Sequence, residues 1–221
     1  MKISSILIMA LAAGALGAQE APRLDQRIQA FVELTRPSQI TVATSPTIDD
    51  QPGSTTGVGI RFQGELASAP GWFYELGGMF DASSTFAHSG PSLDLTDVKV
   101  TNSYWMLGAG YLGRVNAAST WGAHLEARGE YLRIQGGAVV NGTTYQVSQG
   151  NTYLRPWVRG SYDYTFLGIG ANKHPFIGVE ASFALLRTSQ SRTPDFSATD
   201  NRTLRSLAPR ASADLYVGMR F

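Results

Sequence analysis

From about residue 27 to the C-terminus, apolar and polar residues alternate with a period of two along most of the chain. Neighbouring side chains of an extended strand point to opposite faces, so this period predicts half-buried β-strands rather than helices. In one segment, for example, Leu125 and Ala127 alternate with Glu126 and Arg128. Eight strands are predicted, at about residues 28–35, 57–66, 72–82, 104–113, 121–132, 153–164, 175–186 and 209–221.

The charged residues of these segments all fall on one parity of the alternation, and the other parity carries none. Alternation alone leaves two arrangements open, because a soluble barrel turns its apolar face inward and a membrane barrel turns it outward against lipid. In the membrane arrangement the polar set lines the interior. That set comprises Glu33, Arg61, Glu65, Glu75, Asp81, His124, Glu126, Arg128, Glu130, Arg155, Arg159, Asp163, Glu180, Arg210, Asp214 and Arg220.

The lengths of the connections favour the membrane arrangement. Short connections of a few residues alternate with four loops of about twenty residues, so all four long loops lie at one end of the barrel, as in outer-membrane barrels. The long loops are predicted at about residues 36–56, 83–103, 133–152 and 187–208. The predicted fold is therefore all-β: an eight-stranded antiparallel up-and-down transmembrane β-barrel with short periplasmic turns and four long extracellular loops.

Aromatic residues of the apolar parity gather near the predicted strand ends. Amphipathic rings are most stable at the two boundaries between lipid and water, so this placement predicts two interfacial girdles. The girdle residues are Trp72, Tyr74, Tyr111, Trp121, Tyr162 and Tyr164 near the short turns, and Phe80, Trp105 and Tyr131 toward the long loops.

The first residues have the pattern of an export signal. Lys2 precedes an uncharged, mostly apolar stretch over residues 3–16, which ends in small residues before Gln19. A membrane-anchoring helix is the weaker interpretation, because the stretch is shorter than the roughly 20 residues that a span needs. We predict a signal peptide at residues 1–18, a short periplasmic segment at 19–26 and an outer-membrane barrel domain at 27–221.

The C-terminal strand ends on Phe221, with apolar residues at alternate positions before it. In this feature, and in its strand pattern, the chain resembles the small eight-stranded outer-membrane barrels of Gram-negative bacteria, the family of OmpX and of the OmpA membrane domain. Met219 departs from the family, which often has an aromatic residue there. The resemblance implies an integral outer-membrane protein in contact with lipid and lipopolysaccharide. It also implies an assembly signal that the barrel-assembly machinery reads, formed by Ala213, Leu215, Val217, Met219 and Phe221.

The composition argues against several kinds of chemistry. The chain has no Cys and three His, which excludes thiol chemistry and leaves little for a metal site. Its net charge of +1 argues against nucleic acid as a partner. We therefore predict no cofactor. Enclosed charges must be paired or hydrated, so the interior is expected to hold an Arg–carboxylate network, either a structural plug or an ion path.

Three functions remain after these exclusions. The first is a non-enzymatic barrel that acts through its loops in adhesion, surface interaction or envelope integrity, and the second is a narrow solute channel of the OmpW-like kind. The third is a lipid A-modifying enzyme that uses His88 and Ser89. The sequence Asn141-Gly142 predicts a tight hairpin, so the strands on either side extend above the membrane, where a sheet edge can bind an extracellular partner. Basic residues of the fourth loop are candidates for contact with lipopolysaccharide, namely Arg187, Arg192, Arg202 and Arg205.

Overall fold

The structure is a computed structural model of the chain. It describes residues 25–35, 40–43, 48–50, 54–89, 93–140, 142–167, 173–186, 189–192, 203–207 and 209–221. The predicted signal peptide lies outside these residues. Within them, no helix is long and apolar enough to cross a membrane.

The described residues form twelve strands. They are β1 (Gln26–Thr35), β2 (Ile40–Ala43), β3 (Ile48–Asp50), β4 (Thr55–Leu66), β5 (Ala69–Ser89), β6 (Leu93–Arg114), β7 (Ser119–Val140), β8 (Thr143–Thr165), β9 (His174–Ala184), β10 (Ser189–Arg192), β11 (Thr203–Leu207) and β12 (Ala211–Arg220). Eight of them close a barrel in the order β1-β12-β9-β8-β7-β6-β5-β4, with antiparallel neighbours throughout. The predicted eight-stranded antiparallel barrel is confirmed, and closure leaves no unpaired edge around the wall.

The two faces of the barrel wall have opposite chemistry. Side chains on the outer face are apolar and exposed, as at Val179 (56% exposed) and Leu125 (58%). Charged side chains point inward and are buried, as at Glu75 (0%) and Arg61 (1%). An outward apolar face is the arrangement of a membrane barrel and the reverse of a soluble one.

The inward parity changes in the middle of β5. Between the pairs Met79–Tyr104 and Ala82–Asn102, two residues of β5 face one residue of β6, and the pairing with β4 shows the same irregularity, so β5 contains a bulge. Asp81 lies in the bulge with a φ of 40°. The prediction that placed Asp81 in the interior is wrong, because the extra residue turns its side chain outward, where it is exposed.

Much of the chain that was predicted as long loops is also strand. The β5–β6 and β7–β8 pairs continue well past the barrel wall, and β7 and β8 stay in register up to the pair Val140–Thr143. Gly142 has a φ of 81°, as the predicted tight hairpin requires. The first and fourth long loops contribute β2, β3, β10 and β11, which form a separate four-stranded sheet in the order β10-β11-β2-β3. We call this end of the barrel the long-loop end and the opposite end the short-turn end.

Candidate functional site

An ion pair crosses the lumen at the centre of the barrel. Arg61 of β4 donates two hydrogen bonds to Glu180 of β9, from Nη1 to Oε2 at 2.8 Å and from Nη2 to Oε1 at 2.6 Å. Arg61 Nη1 also donates to Gln29 Oε1 at 3.1 Å, and its guanidinium lies 4.8 Å from the centre of the Phe31 ring. This two-point geometry, shielded from water, is the strong form of an Arg–carboxylate contact.

A second arginine, Arg159 of β8, connects three carboxylates. Its Nη1 donates to Glu126 Oε2 at 2.9 Å, its Nη2 donates to Glu75, and its Nε lies 3.2 Å from Glu180 Oε2. Glu75 also accepts a hydrogen bond from Gln63 at 3.2 Å. Arg159 is therefore the node that joins strands β5, β7, β8 and β9 inside the barrel.

Nearer the long-loop end, Arg128 is packed between two aromatic rings. Its guanidinium carbon lies 4.4 Å from the Tyr104 ring centre and 4.2 Å from that of Trp157. Its Nε donates to Glu126 Oε1 at 2.8 Å, and its Nη1 donates to Glu33 Oε2 at 3.3 Å. The Tyr104 hydroxyl also donates to Glu33 Oε2, at 2.6 Å, so this carboxylate is held from two sides.

The Trp157 ring is also covered on its long-loop side. The guanidinium of Arg155 lies 5.1 Å from the ring centre and donates hydrogen bonds to Glu130 and to the Pro209 carbonyl oxygen. The Trp157 indole N–H donates to Glu130 Oε1 at 2.6 Å. Trp157 is 2% exposed, so this large ring is buried in the described interior between two arginines.

At the short-turn end the network finishes in a chain of four charges. Arg27 donates to Asp163 Oδ2 at 3.0 Å and to Asp25 Oδ2 at 3.3 Å. Asp25 Oδ1 lies 2.7 Å from Arg220 Nε. A cavity of about 370 Å³ opens at this end of the barrel, next to these four charges. The buried residues Arg27, Gln63 and Phe73 form part of its lining.

His124 has contacts that superficially match a hydrolase triad. Its Nε2 lies 2.9 Å from Ser161 Oγ, and its Nδ1 lies 3.3 Å from Glu75 Oε2. However, Arg159 Nη2 is 2.7 Å from the same Nδ1, and a guanidinium can only donate. Nδ1 must then accept, so the imidazole proton is on Nε2 and is donated to Ser161. A catalytic histidine needs the opposite arrangement, since its Nε2 takes the proton of the serine.

The structure brings most of the predicted interior residues together. Glu65 and Arg220 are only partly buried, at the short-turn end. The prediction for Arg210 is wrong: it precedes the first residue of β12 and is exposed. The remaining predicted residues apart from Asp81 are buried, namely Glu33, Arg61, Glu75, His124, Glu126, Arg128, Glu130, Arg155, Arg159, Asp163, Glu180 and Asp214.

Sequence reasoning missed several interior residues. Gln29 and Phe31 have the same parity as Glu33 and lie within the predicted first strand, and Arg27 could have been found by extending that strand toward its N-terminus. Phe73 and Phe176 lie on the polar parity too, and their rings help to fill the lumen. Among the described residues, no group of three or more His, Asp or Glu side chains could hold a metal ion.

The aromatic residues proposed for the girdles all lie on the outer face. They range from 38% exposed at Tyr111 to 56% at Trp105. Trp105 and Trp121 face Gly129 and Gly113 across the strand pair, where a Cβ atom would collide with the indole ring. In the C-terminal strand, Leu215, Val217 and Phe221 also point outward and are about half exposed. Ala213 is exposed and Met219 is partly covered.

The long-loop end presents a sheet edge. On one side β8 pairs with β7 along its whole length, but on the other side it pairs with β9 only from Trp157 to Thr165. No described strand pairs with residues 143–152 of β8 on that second side. His88 and Ser89 lie in β5, in backbone register with Leu95 and Asp94 of β6. Of the fourth-loop arginines, Arg192 and Arg205 lie in β10 and β11, while Arg187 and Arg202 fall outside the described residues.

Comparison with known proteins gives the architecture a precedent. No protein-family model matches the chain, and no curated protein matches its sequence. The solved structure of the outer membrane protein OprG from Pseudomonas aeruginosa matches with a TM-score of 0.55 and 14% identity, over 89% of this chain and 95% of OprG. The fold is that of a small outer-membrane β-barrel.

Two further solved structures cover a similar share of the chain with lower TM-scores. The attachment invasion locus protein Ail of Yersinia pestis, in complex with the heparin analogue sucrose octasulfate, has a TM-score of 0.46 and 11% identity, over 90% of this chain and 99% of Ail. Neisserial surface protein A has a TM-score of 0.36 and 13% identity, over 88% of this chain and 95% of that protein.

Proposed function

We propose that the protein is a non-enzymatic integral outer-membrane barrel that acts at the cell surface in adhesion, by adding an extended segment of an extracellular partner protein to the free edge of β8. The observation that carries this proposal is the edge itself. Residues 143–154 contain no charge and no proline, the two devices with which proteins usually protect a sheet edge from pairing. An unprotected edge offers main-chain hydrogen bonds to any extended segment.

The main-chain groups that face this edge can be assigned. Leu185 N–H donates to the Pro156 carbonyl oxygen at 2.9 Å, so the main chain of Pro156 faces β9. Alternate residues of a strand direct their N–H and C=O to the same side, so the even-numbered residues above Pro156 face the free edge. They are Leu154, Thr152, Gly150, Ser148, Gln146 and Thr144.

A proline substitution tests this directly. Ser148→Pro removes an edge N–H while leaving the ladder to β7 intact, and Ser148→Thr keeps the N–H as a matched control. Cells that display the protein are assayed for adhesion to immobilised extracellular-matrix proteins. We expect Ser148→Pro to reduce adhesion to the level of cells without the protein, and Ser148→Thr to retain it. Equal adhesion by both variants, or none by the wild type, contradicts the proposal.

The contacts in the lumen favour a filled barrel over the second candidate, a narrow solute channel. Arg61, Arg128, Arg155 and Arg159 each contact at least one buried carboxylate, and Trp157 lies across the interior. Planar-bilayer recordings of the inserted protein separate the two functions. We expect no conductance steps once insertion of the protein has been verified. Reproducible conductance steps would favour the channel function over the filled barrel.

One finer part of the proposal and one alternative to it have tests of their own. Contact of Arg192 and Arg205 with lipopolysaccharide is supported by their basic charge at the long-loop end, and an Arg192→Gln, Arg205→Gln double variant should weaken binding of the protein to lipopolysaccharide micelles. The enzyme alternative at His88 and Ser89 predicts modified lipid A. Identical lipid A mass spectra from cells with wild type and with His88→Ala would remove that alternative.

A further inference from the structure

The cavity at the short-turn end has a mixed polar and apolar lining. Its volume is about 370 Å³, within the range of sites that bind small molecules. It lies at the opposite end of the barrel from the β8 edge, so what it binds is independent of the proposed function. The lining includes Asp25, Glu65, Phe73, Leu112, Arg114 and Arg220.

Most of the charges in this lining neutralise each other. Arg27 pairs with Asp163 just outside the cavity, and Arg220 pairs with Asp25. One cation and one anion are left. In the part of the chain that the structure describes, no carboxylate lies within ion-pair distance of Arg114 and no cation lies within ion-pair distance of Glu65.

Glu65 is nevertheless held in place. Its Oε1 accepts a hydrogen bond from the Gly71 main-chain N–H at 2.7 Å, and its Oε2 accepts one from the Asp25 N–H at 3.2 Å. Gly71 has a φ of 84°, so this turn depends on a glycine, and the carboxylate fixes it. These bonds orient the carboxylate without cancelling its charge, which leaves a preorganised anion at the cavity.

The apolar part of the lining is also rigid. The Phe73 ring packs edge-on against His124 with centroids 5.0 Å apart and is 1% exposed. Leu112 of β6 lines the same cavity and is half-buried. The Phe73 ring is already held by its neighbours, so a ligand that contacts its edge at the cavity causes little further loss of side-chain entropy.

We propose that this cavity binds a small zwitterion of amino-acid or dipeptide size, with its carboxylate on Arg114, its ammonium on Glu65 and its side chain against Phe73 and Leu112. A guanidinium recognises a carboxylate through paired hydrogen bonds, and a carboxylate with two oriented oxygens accepts from an ammonium. Arg114 is exposed and Glu65 is half-buried, so a ligand with a single charge would contact only one of these two groups. The presence of both unpaired groups at one cavity therefore selects for a ligand with two opposite charges.

The test uses the full-length barrel in detergent micelles and three chemically matched probes. Glycyl-L-phenylalanine carries both charges, its N-acetyl derivative lacks the ammonium, and its C-terminal amide lacks the carboxylate. Binding is measured by isothermal titration calorimetry. On wild-type protein we expect each blocked derivative to bind about five- to tenfold more weakly than the free dipeptide, as for partly solvated ion pairs.

Variants then assign each charge to its partner. Arg114→Gln should weaken binding of the free dipeptide and of the N-acetyl form about five- to tenfold and leave binding of the amide unchanged. Glu65→Gln should weaken binding of the free dipeptide and of the amide by the same factor and leave binding of the N-acetyl form unchanged. Arg210→Gln, an exposed arginine at the long-loop end, is the matched control and should change nothing. Wild-type protein that binds the three probes equally, or binds none of them, overturns the proposal even if a variant fails to fold.

Discussion

Arg61 and Glu180 form a two-point ion pair between strands that are not neighbours in the wall. Going around the barrel from β4 to β9 crosses β1 and β12, yet the Nη–Oε distances are 2.6 and 2.8 Å. Both side chains are at most 1% exposed. The pair therefore connects opposite parts of the sheet through the lumen, and either charge alone would be buried without a partner at this distance.

Breaking this pair from one side should be costly. We expect Glu180→Gln to lower the free energy of unfolding by about 3–5 kcal/mol, because it leaves Arg61 buried without its main partner. Adding Arg61→Gln should recover part of the loss, with a coupling of about 1–3 kcal/mol. Urea unfolding in lipid vesicles, followed by tryptophan fluorescence, measures both values. Strictly additive losses would show that the two residues do not act as a pair.

Neutralising Asp214 should stabilise the barrel, whereas neutralising its neighbour Glu180 should destabilise it. It faces Glu33 on one side and Glu180 on the other in the strand register, and its two carboxylate oxygens accept no hydrogen bond from the described residues. Its nearest cation, Arg61, is 3.8 Å away. Since like charges in adjacent positions repel, Asp214→Asn should raise the free energy of unfolding by about 0.5–1 kcal/mol.

Glu33→Gln is the matched control for that substitution. Glu33 accepts hydrogen bonds from Tyr104 and Thr35 and pairs with Arg128, so its neutralisation should destabilise the barrel. The same urea titration compares the two variants. A loss of stability in Asp214→Asn as large as that in Glu33→Gln would argue that the row of three carboxylates is not repulsive.

The alternation of the sequence was enough to predict the barrel and most of its interior. A period of two assigns Glu33 or Arg128 to a face without any knowledge of partners, because the wall is regular there. The rule failed at Asp81, where a bulge adds one residue and shifts the parity, and at Arg210, which precedes its strand. No local signal marks a bulge when the extra residue is not glycine.

The long-range features could not be predicted in this way. The sheet of β2, β3, β10 and β11 pairs β2 with β11, at least 160 residues apart in sequence, and the two meet because barrel closure brings β1 and β12 together. The partners of Arg159 come from β5, β7 and β9, and the short-turn cavity draws its lining from the ends of several strands. The alternation assigns a side chain to the lumen, but its position along the barrel axis and the side chains that it contacts depend on the stagger of the strands in the closed sheet.

The outward apolar face predicts how the barrel responds to a charge on its surface. Val179 is 56% exposed on the outer face, so Val179→Arg should lower the free energy of unfolding in lipid vesicles by about 2–4 kcal/mol. Thr144→Arg, at an exposed position beside the β7–β8 hairpin, should change it by less than about 0.5 kcal/mol. Equal small effects at both positions would mean that water, not lipid, surrounds the wall.

The bulge at Asp81 is expected to favour glycine. A φ of 40° is unfavourable for residues with a Cβ atom, and the side chain is exposed, so little packing is lost by removing it. Asp81→Gly should raise the free energy of unfolding by about 0.5–1 kcal/mol, whereas Asp81→Ala, which removes the carboxylate but keeps the Cβ, should not. Urea unfolding distinguishes them, and equal effects would assign the change to charge instead.

Trp157 should be the residue that blocks the lumen on the long-loop side of Arg128. Its ring lies between Arg128 and Arg155, and its N–H is fixed by Glu130, so it cannot turn aside without losing these contacts. Trp157→Ala removes the largest of the fully buried side chains and should cost about 3–5 kcal/mol of stability. The space it leaves is lined by charged groups and can hold water, so planar bilayers should show conductance steps that the wild type lacks.

Trp157→Phe serves as the control, because a phenyl ring still fills the gap between the two guanidinium groups while it loses the hydrogen bond to Glu130. It should be silent in the bilayer. Insertion of both variants is verified first by the heat-dependent gel shift of a closed barrel. If Trp157→Ala is also silent, the barrier lies closer to the short-turn end, where Arg159 and its three carboxylates close the lumen independently.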